Sequence, residues 1–130
     1  MKKGLILTLA VLCLVSVMIF TAAASTGVDF IIASSGLVDY GGGGYKNDTT
    51  PADVRYMTTQ NIEAGMRYHV RAGSSASATT RCSGYAERYD SYDFTLSYFT
   101  DYQNTGYRSL WGIRINSSNY SVQVSGKFFP

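Results

Sequence analysis

Residues 110–130, reading LWGIRI, NSSN and YSVQVSGKFFP, constrain the fold more than any other part of the chain. If Asn116, Ser117, Ser118 and Asn119 form a four-residue turn, Ile115 falls opposite Tyr120, Ile113 opposite Val122 and Trp111 opposite Val124. Every pair on that face is apolar. Arg114, Ser121, Gln123, Ser125 and Lys127 fall on the other face, a period of two expected of a half-buried antiparallel hairpin. The stretch therefore predicts a C-terminal hairpin in which Trp111, Ile113, Ile115, Tyr120, Val122 and Val124 are the main apolar anchor of the domain.

The same period recurs upstream. Val54, Tyr56 and Thr58 alternate with Arg55, Met57 and Thr59; Met66, Tyr68, Val70 and Ala72 alternate with Arg67, His69 and Arg71; Phe94, Leu96 and Tyr98 alternate with Thr95, Ser97 and Phe99. Residues 81–88 fit a strand of a second sheet, whereas 73–80 (GSSASATT) read as a loop or a flat polar strand. Turn chemistry separates these runs at 61–65 and 101–106. No long segment carries the helical period of 3.6, and proline occurs only at Pro51 and Pro130. The pattern predicts an all-β fold, a single small antiparallel β-sandwich or barrel of about six to eight strands.

Before residue 53 the signal is weaker. Residues 28–33 (VDFIIA) and 37–40 (LVDY) read as weak strands, and Gly41 to Gly44 break the pattern, because four glycines lose much backbone entropy on ordering and have no side chains to pack. No Gly-Lys-Ser/Thr follows them, so a flexible linker is expected rather than a phosphate cradle. The chain divides into a leader at 1–24, a flexible glycine-rich segment with weak strands at 25–52, and a β-domain at 53–130.

The leader has the form of a cleaved secretory signal. Lys2 and Lys3 precede an apolar run from 5 to 20, and Ala22 and Ala24 supply the small residues ahead of a cut. Cleavage removes two of the 11 basic residues, leaving 9 against 9 acidic ones, so the formal charge of +2 belongs to the leader and lends no support to nucleic-acid binding. Removing 24 of 130 residues leaves 106, enough for one core without a further membrane span. Cys13 leaves with the leader, so Cys82 has no internal disulfide partner. It is read as a small buried hydrophobe, with a Cys82-linked dimer as the other reading. One cysteine and one histidine make no zinc or iron–sulfur site, and no cofactor is expected.

The functional hint is aromatic. Tyr85, Tyr89, Tyr92, Tyr98, Tyr102 and Tyr107 fall within a short span, interleaved with Glu87, Arg88, Asp90, Asp93 and Asp101. Tyrosine offers rigid area with a polar tip and suits recognition of glycans or protein surfaces, although it is also a good strand residue. His69, between two arginines on its alternation, is read as an exposed strand residue rather than a general base. Two of Glu87, Asp90, Asp93 and Asp101 would be required for a glycan hydrolase, and Asp90 and Asp93 lack the ligand spacing of an EF-hand calcium loop. The Gly-x-Ser-x-Gly spacing of a nucleophile elbow is absent at Ser83.

The leader, the glycine-rich start and the closing NSSNYSVQVSGKFFP resemble small exported β-domain proteins of Gram-positive bacteria, and the plan is similar to secreted bacteriocins of the lactococcin 972 type. The resemblance implies a β-sandwich outside the cell and carries no functional residue. The expectation is an exported, non-enzymatic module contacting a cell-wall glycan or surface protein through a tyrosine-rich face. A secreted antibacterial or signalling polypeptide is the second reading and a small glycan hydrolase the third.

Overall fold

A computed structural model describes residues 24–116 and 120–130. The leader expectation over 1–24, apart from Ala24, lies outside the described residues, as do three residues of the expected NSSN turn. Among the described residues eight strands are present: β1 (Val28–Ser34), β2 (Asp39–Lys46), β3 (Ala52–Gln60), β4 (Met66–Ala72), β5 (Ala86–Arg88), β6 (Phe94–Leu96), β7 (Gly106–Arg114) and β8 (Val122–Phe129). Single 3-10 turns lie at Ile62–Ala64 and Thr100–Tyr102. The strands form two four-stranded antiparallel sheets, a first sheet ordered β1-β8-β3-β6 and a second ordered β2-β7-β4-β5. The fold is an open sandwich, not a barrel.

Between the sheets lie Phe30 and Ile32 of β1, Val54 of β3, Val122, Val124 and Phe128 of β8, and, from the second sheet, Met66, Tyr68, Val70 and Leu110. Each large side chain removed from water contributes about 1.5–3 kcal/mol, and their alternation along the strands places them inward. The Tyr68 hydroxyl is satisfied within this core by the Tyr56 hydroxyl at 2.8 Å. Cys82 is fully buried with its thiol directed at the Val70 carbonyl, and burial pushes its pKa up to about 11. The buried Cys82 thiol is not available for a Cys82-linked dimer. A polar maleimide is therefore expected to leave Cys82 unmodified in the native protein and to label it stoichiometrically in concentrated guanidinium; rapid labelling of Cys82 under native conditions would contradict this burial.

The C-terminal hairpin is not formed. β7 lies in the second sheet between β2 and β4, while β8 lies in the first between β1 and β3, so the chain crosses from one sheet to the other between them. β8 keeps the expected phase, with Val122 and Val124 inward. β7 takes the opposite one: Leu110 enters the core, and Trp111 and Ile113 lie on the outer face, paired with His69 and Arg67 of β4. In the run Leu110-Trp111-Gly112-Ile113 both alternations present apolar residues, so period alone cannot choose the phase. A short loop also serves equally well to join strands across a sandwich.

The glycine run is likewise strand rather than linker. Gly41 to Gly44 lie in β2, which forms an edge of the second sheet, and β1 forms the corresponding edge of the first. The sheets approach closely there: an added Cβ would lie 2.7 Å from Ile32 Cγ1 at Gly41, 2.7 Å from the Asp29 carbonyl at Gly42 and 2.8 Å from Val28 Cγ1 at Gly44. The missing side chains thus permit β2 to be ordered. A register shift between Tyr40 and Gly42 then sets Tyr40 and Tyr45, five positions apart, on the same outer face, opposite Trp111 and Tyr107.

Candidate functional site

The outer face of the second sheet collects side chains that water would be expected to bathe. From β7 it receives Tyr107, Ser109, Trp111 and Ile113, from β4 Arg67, His69 and Arg71, and from β2 Tyr40 and Tyr45. Residues 73–80, a loop, fold across part of this face. Gly73 N–H donates to the Tyr107 carbonyl at 2.9 Å, the Tyr40 hydroxyl to the Ser74 carbonyl at 2.6 Å, and Arg71 Nη1 to the Ala78 carbonyl at 3.0 Å. Gly43 passes beneath Ser74, where a Cβ would be 2.6 Å from its carbonyl oxygen.

Under this cover Trp111 is only 6% exposed. Tyr40 meets it edge-on at 5.4 Å, the Arg71 guanidinium lies 3.9 Å from its ring centre, and its indole N–H donates to Ser109 Oγ at 2.9 Å. His69, expected to be exposed, does point outward with the arginines but is only 5% exposed, because Tyr85 packs against its ring at 5.5 Å. Arg71 Nε donates to His69 Nε2 at 3.0 Å, so the ring proton resides on Nδ1, which is buried without a partner. Burial, then the Arg71 and Arg81 charges, lower the His69 pKa from 6.5 to about 4. Titration of the His69 ring signals by NMR should return a value near this, and Arg71→Gln should move it up towards 6.5; an unshifted imidazole in the native chain would contradict the packing described.

Beside His69 is a hollow of about 360 Å³ lined by Val38, Arg67, His69, Arg71, Thr79, Arg81, Tyr85 and Ile113. Arg67 is paired with Glu87 at 2.6 Å. Arg81 lies 4.3 Å over the Tyr85 ring and 5.1 Å over Phe99, with Nη1 donating to the Ser83 carbonyl at 2.9 Å. Neither Arg71 nor Arg81 has a carboxylate partner among the described residues. A larger hollow of about 530 Å³ on the first sheet is lined by Ile31, Thr58, Thr59, Gln60, Gln123, Val124 and Ser125. It contains no charged side chain, so it offers little to orient a ligand.

The six tyrosines singled out in the sequence do not form one surface. Tyr85 walls the hollow; Tyr107 is on the same sheet face and meets Tyr45 edge-on at 5.0 Å. Tyr89 packs over Gly65 in the β3–β4 turn, and Tyr92 is exposed in the loop before β6. Tyr98 is in the core, where burial raises its hydroxyl pKa, and Tyr102 is partly buried beside Arg108. Three of the four acidic candidates are tied elsewhere, Glu87 to Arg67, Asp90 to Arg88 at 2.7 Å and Asp93 to the Tyr56 amide at 3.0 Å, while Asp101 is exposed in the 3-10 turn at Thr100–Tyr102. No group of three His, Cys, Asp or Glu side chains that would hold a metal occurs among the described residues.

Sequence reasoning passed over Tyr40, Tyr45, Trp111, Arg71 and Arg81 as site residues. The signal that would have gathered most of them is the alternation of β4 and β7 phased with Trp111 outward, opposite His69 and Arg71. No protein-family model, curated protein or solved structure matches this chain.

Proposed function

We propose that this chain is an exported, non-enzymatic module that binds a cell-wall or cell-surface glycan through the outer face of its second sheet. The observation that carries this reading is the assembly on one face of Tyr40, Tyr45, Tyr85, Tyr107 and Trp111 with two guanidinium groups fixed over their rings. Tyr45, Tyr85 and Tyr107 remain exposed, giving rigid rings against which the apolar faces of sugars can lie while the hydroxyls bond to the polar rim. Export is supported by the leader sequence. The binding reading is also favoured by the engagement of Glu87, Asp90 and Asp93 in contacts within the fold, whereas glycoside hydrolysis needs a pair of carboxyl groups facing a shared cleft.

Co-sedimentation of the purified protein with isolated cell walls and with intact cells tests the reading. A Tyr45→Ala/Tyr85→Ala/Tyr107→Ala variant should lose about tenfold or more in retention. A Tyr89→Ala/Tyr92→Ala variant, altering tyrosines that do not line the hollow, should be retained like the native chain. Equal retention of both variants, with native circular dichroism, would remove the second sheet from the recognition surface.

A further inference from the structure

Resting on that reading of the second sheet, we infer that the hollow between β4 and residues 79–85 binds an anionic group on the glycan, a carboxylate or a phosphate. Arg81 carries the geometry. Its Nη1 is spent on the Ser83 carbonyl, which leaves Nε–H and Nη2–H on one edge of the guanidinium with no hydrogen-bond partner among the described residues. That edge is the planar fork that matches two oxygens of a carboxylate or phosphate. Arg71 spends Nε on His69 and Nη1 on Ala78, and its Nη2 remains for the same ligand.

An ordinary solvated strand face would look different. Arginines there make no fixed contacts, whereas Arg81, though exposed, packs against the Tyr85 and Phe99 rings, and half-buried Arg71 is laid on Trp111 and bonded at two of its nitrogens. These contacts restrain both long side chains before a ligand arrives, which lowers the entropic cost of closing on one. The charge is also unbalanced. Glu87 neutralises Arg67 alone, so two positive charges line the hollow without a counter-charge among the described residues, although the chain from residue 25 onward carries as many acidic as basic groups. His69 also lines the hollow, and its Nδ1–H is buried with no acceptor among the described residues. Thr79 and the Tyr85 hydroxyl complete a polar rim, while Val38 and Ile113 offer an apolar patch for the sugar ring.

The test titrates the purified chain with trigalacturonate, mannose 6-phosphate and uncharged maltotriose, at low and at high salt. Binding is read by calorimetry and by the fluorescence of Trp111, the sole tryptophan, which lies under Arg71. At least one of the two charged saccharides should bind about tenfold or more tightly than maltotriose at low salt and lose most of that advantage at high salt. Whichever charged saccharide binds better identifies the source of the anion. Arg81→Gln should bring the charged ligands down to the level of maltotriose, Arg81→Lys should restore only part because an ammonium lacks the fork, and Arg55→Gln on the first sheet should change nothing. Arg71→Gln supplies a second variant should Arg81→Gln fold poorly. If maltotriose binds as well as the charged ligands and neither arginine variant matters, the anionic site is overturned while glycan recognition stands. If no saccharide of either charge binds the native chain, both readings fall.

Discussion

Replacing Gly126 with valine is expected to abolish the fold. Gly126 sits in β8, the central strand joining β1 to β3, opposite the irregularity of β3 at Tyr56 and Thr58. A Cβ there would overlap the Arg55 carbonyl oxygen, with the Arg55 carbonyl carbon at 2.9 Å and Phe30 Cε1 at 3.0 Å. Overpacked cores ordinarily lose about 1–3 kcal/mol because side chains can turn aside. A backbone carbonyl in a hydrogen-bonded sheet cannot, so the loss should exceed about 4 kcal/mol, comparable with the whole stability of a small domain. The cooperative thermal transition and the near-ultraviolet dichroism of Trp111 should both vanish. Gly84→Ala is the control, since nothing lies within 4 Å of its added Cβ, and it should change stability by no more than about 0.5 kcal/mol. A cooperative, near-native melt of Gly126→Val would show that β3 and β8 are not paired as described.

The second large effect lies at the far end of β2. Lys46 is fully buried, its ammonium bonded to Asp48 Oδ1 at 3.2 Å and to the Thr50 carbonyl, and 4.6 Å from the Tyr98 ring centre. Asp48→Ala strands that ammonium without a counter-charge and should lower stability by about 3–5 kcal/mol. Adding Lys46→Met should recover much of the loss, because a buried pair exchanged for apolar bulk is often close to neutral. Denaturant melts of the two single variants and the double variant measure the coupling; additive losses would mean that the pair is not coupled.

The same pair sets acid sensitivity. Burial alone would raise the Asp48 pKa, but hydrogen bonds from the Thr50 hydroxyl and amide, the Ser25 amide and Lys46 hold it well below 3.8. The unfolded chain therefore takes up this proton first, and stability falls as pH drops through and below 3.8. His69 acts at higher pH. Its folded pKa near 4 lies below the ordinary 6.5, so stability is full above 6.5 and declines as pH falls from there towards 4. His69→Gln should remove the upper part of the decline and leave the lower part, measured by urea midpoints across pH. A native profile flat between pH 6.5 and 4 would contradict a neutral, buried His69.

Much of this architecture was legible because half-buried strands advertise themselves. The alternation over residues 66–72 is that of β4, and 94–96 and the Val122/Val124 phase of β8 were equally clear. What period could not decide was β7, apolar on both faces because one side packs the core and the other holds Trp111 under Tyr40 and Arg71. The glycines of β2 hid a strand, since their role is to be absent where Ile32, Val28 and Ser74 come close. The site was harder still to see. It joins residues from β2, β4, β7 and the 73–85 segment, and the burial of His69 and Trp111 comes from Tyr85, Tyr40 and a serine-rich loop, none of which marks itself as a cover. Composition led instead to the tyrosines between 85 and 107, of which Tyr85 alone lines the hollow and Tyr98 belongs to the core.

Hydrogen–deuterium exchange in the presence and absence of saturating trigalacturonate or mannose 6-phosphate, whichever binds, tests the central claim most directly. Protection confined to residues 67–85 and 107–113, with β3 and β8 unchanged, is the predicted result. Protection centred on residues 89–102, or on the outer face of the first sheet around Thr58 and Gln123, would contradict recognition through the arginine-lined face.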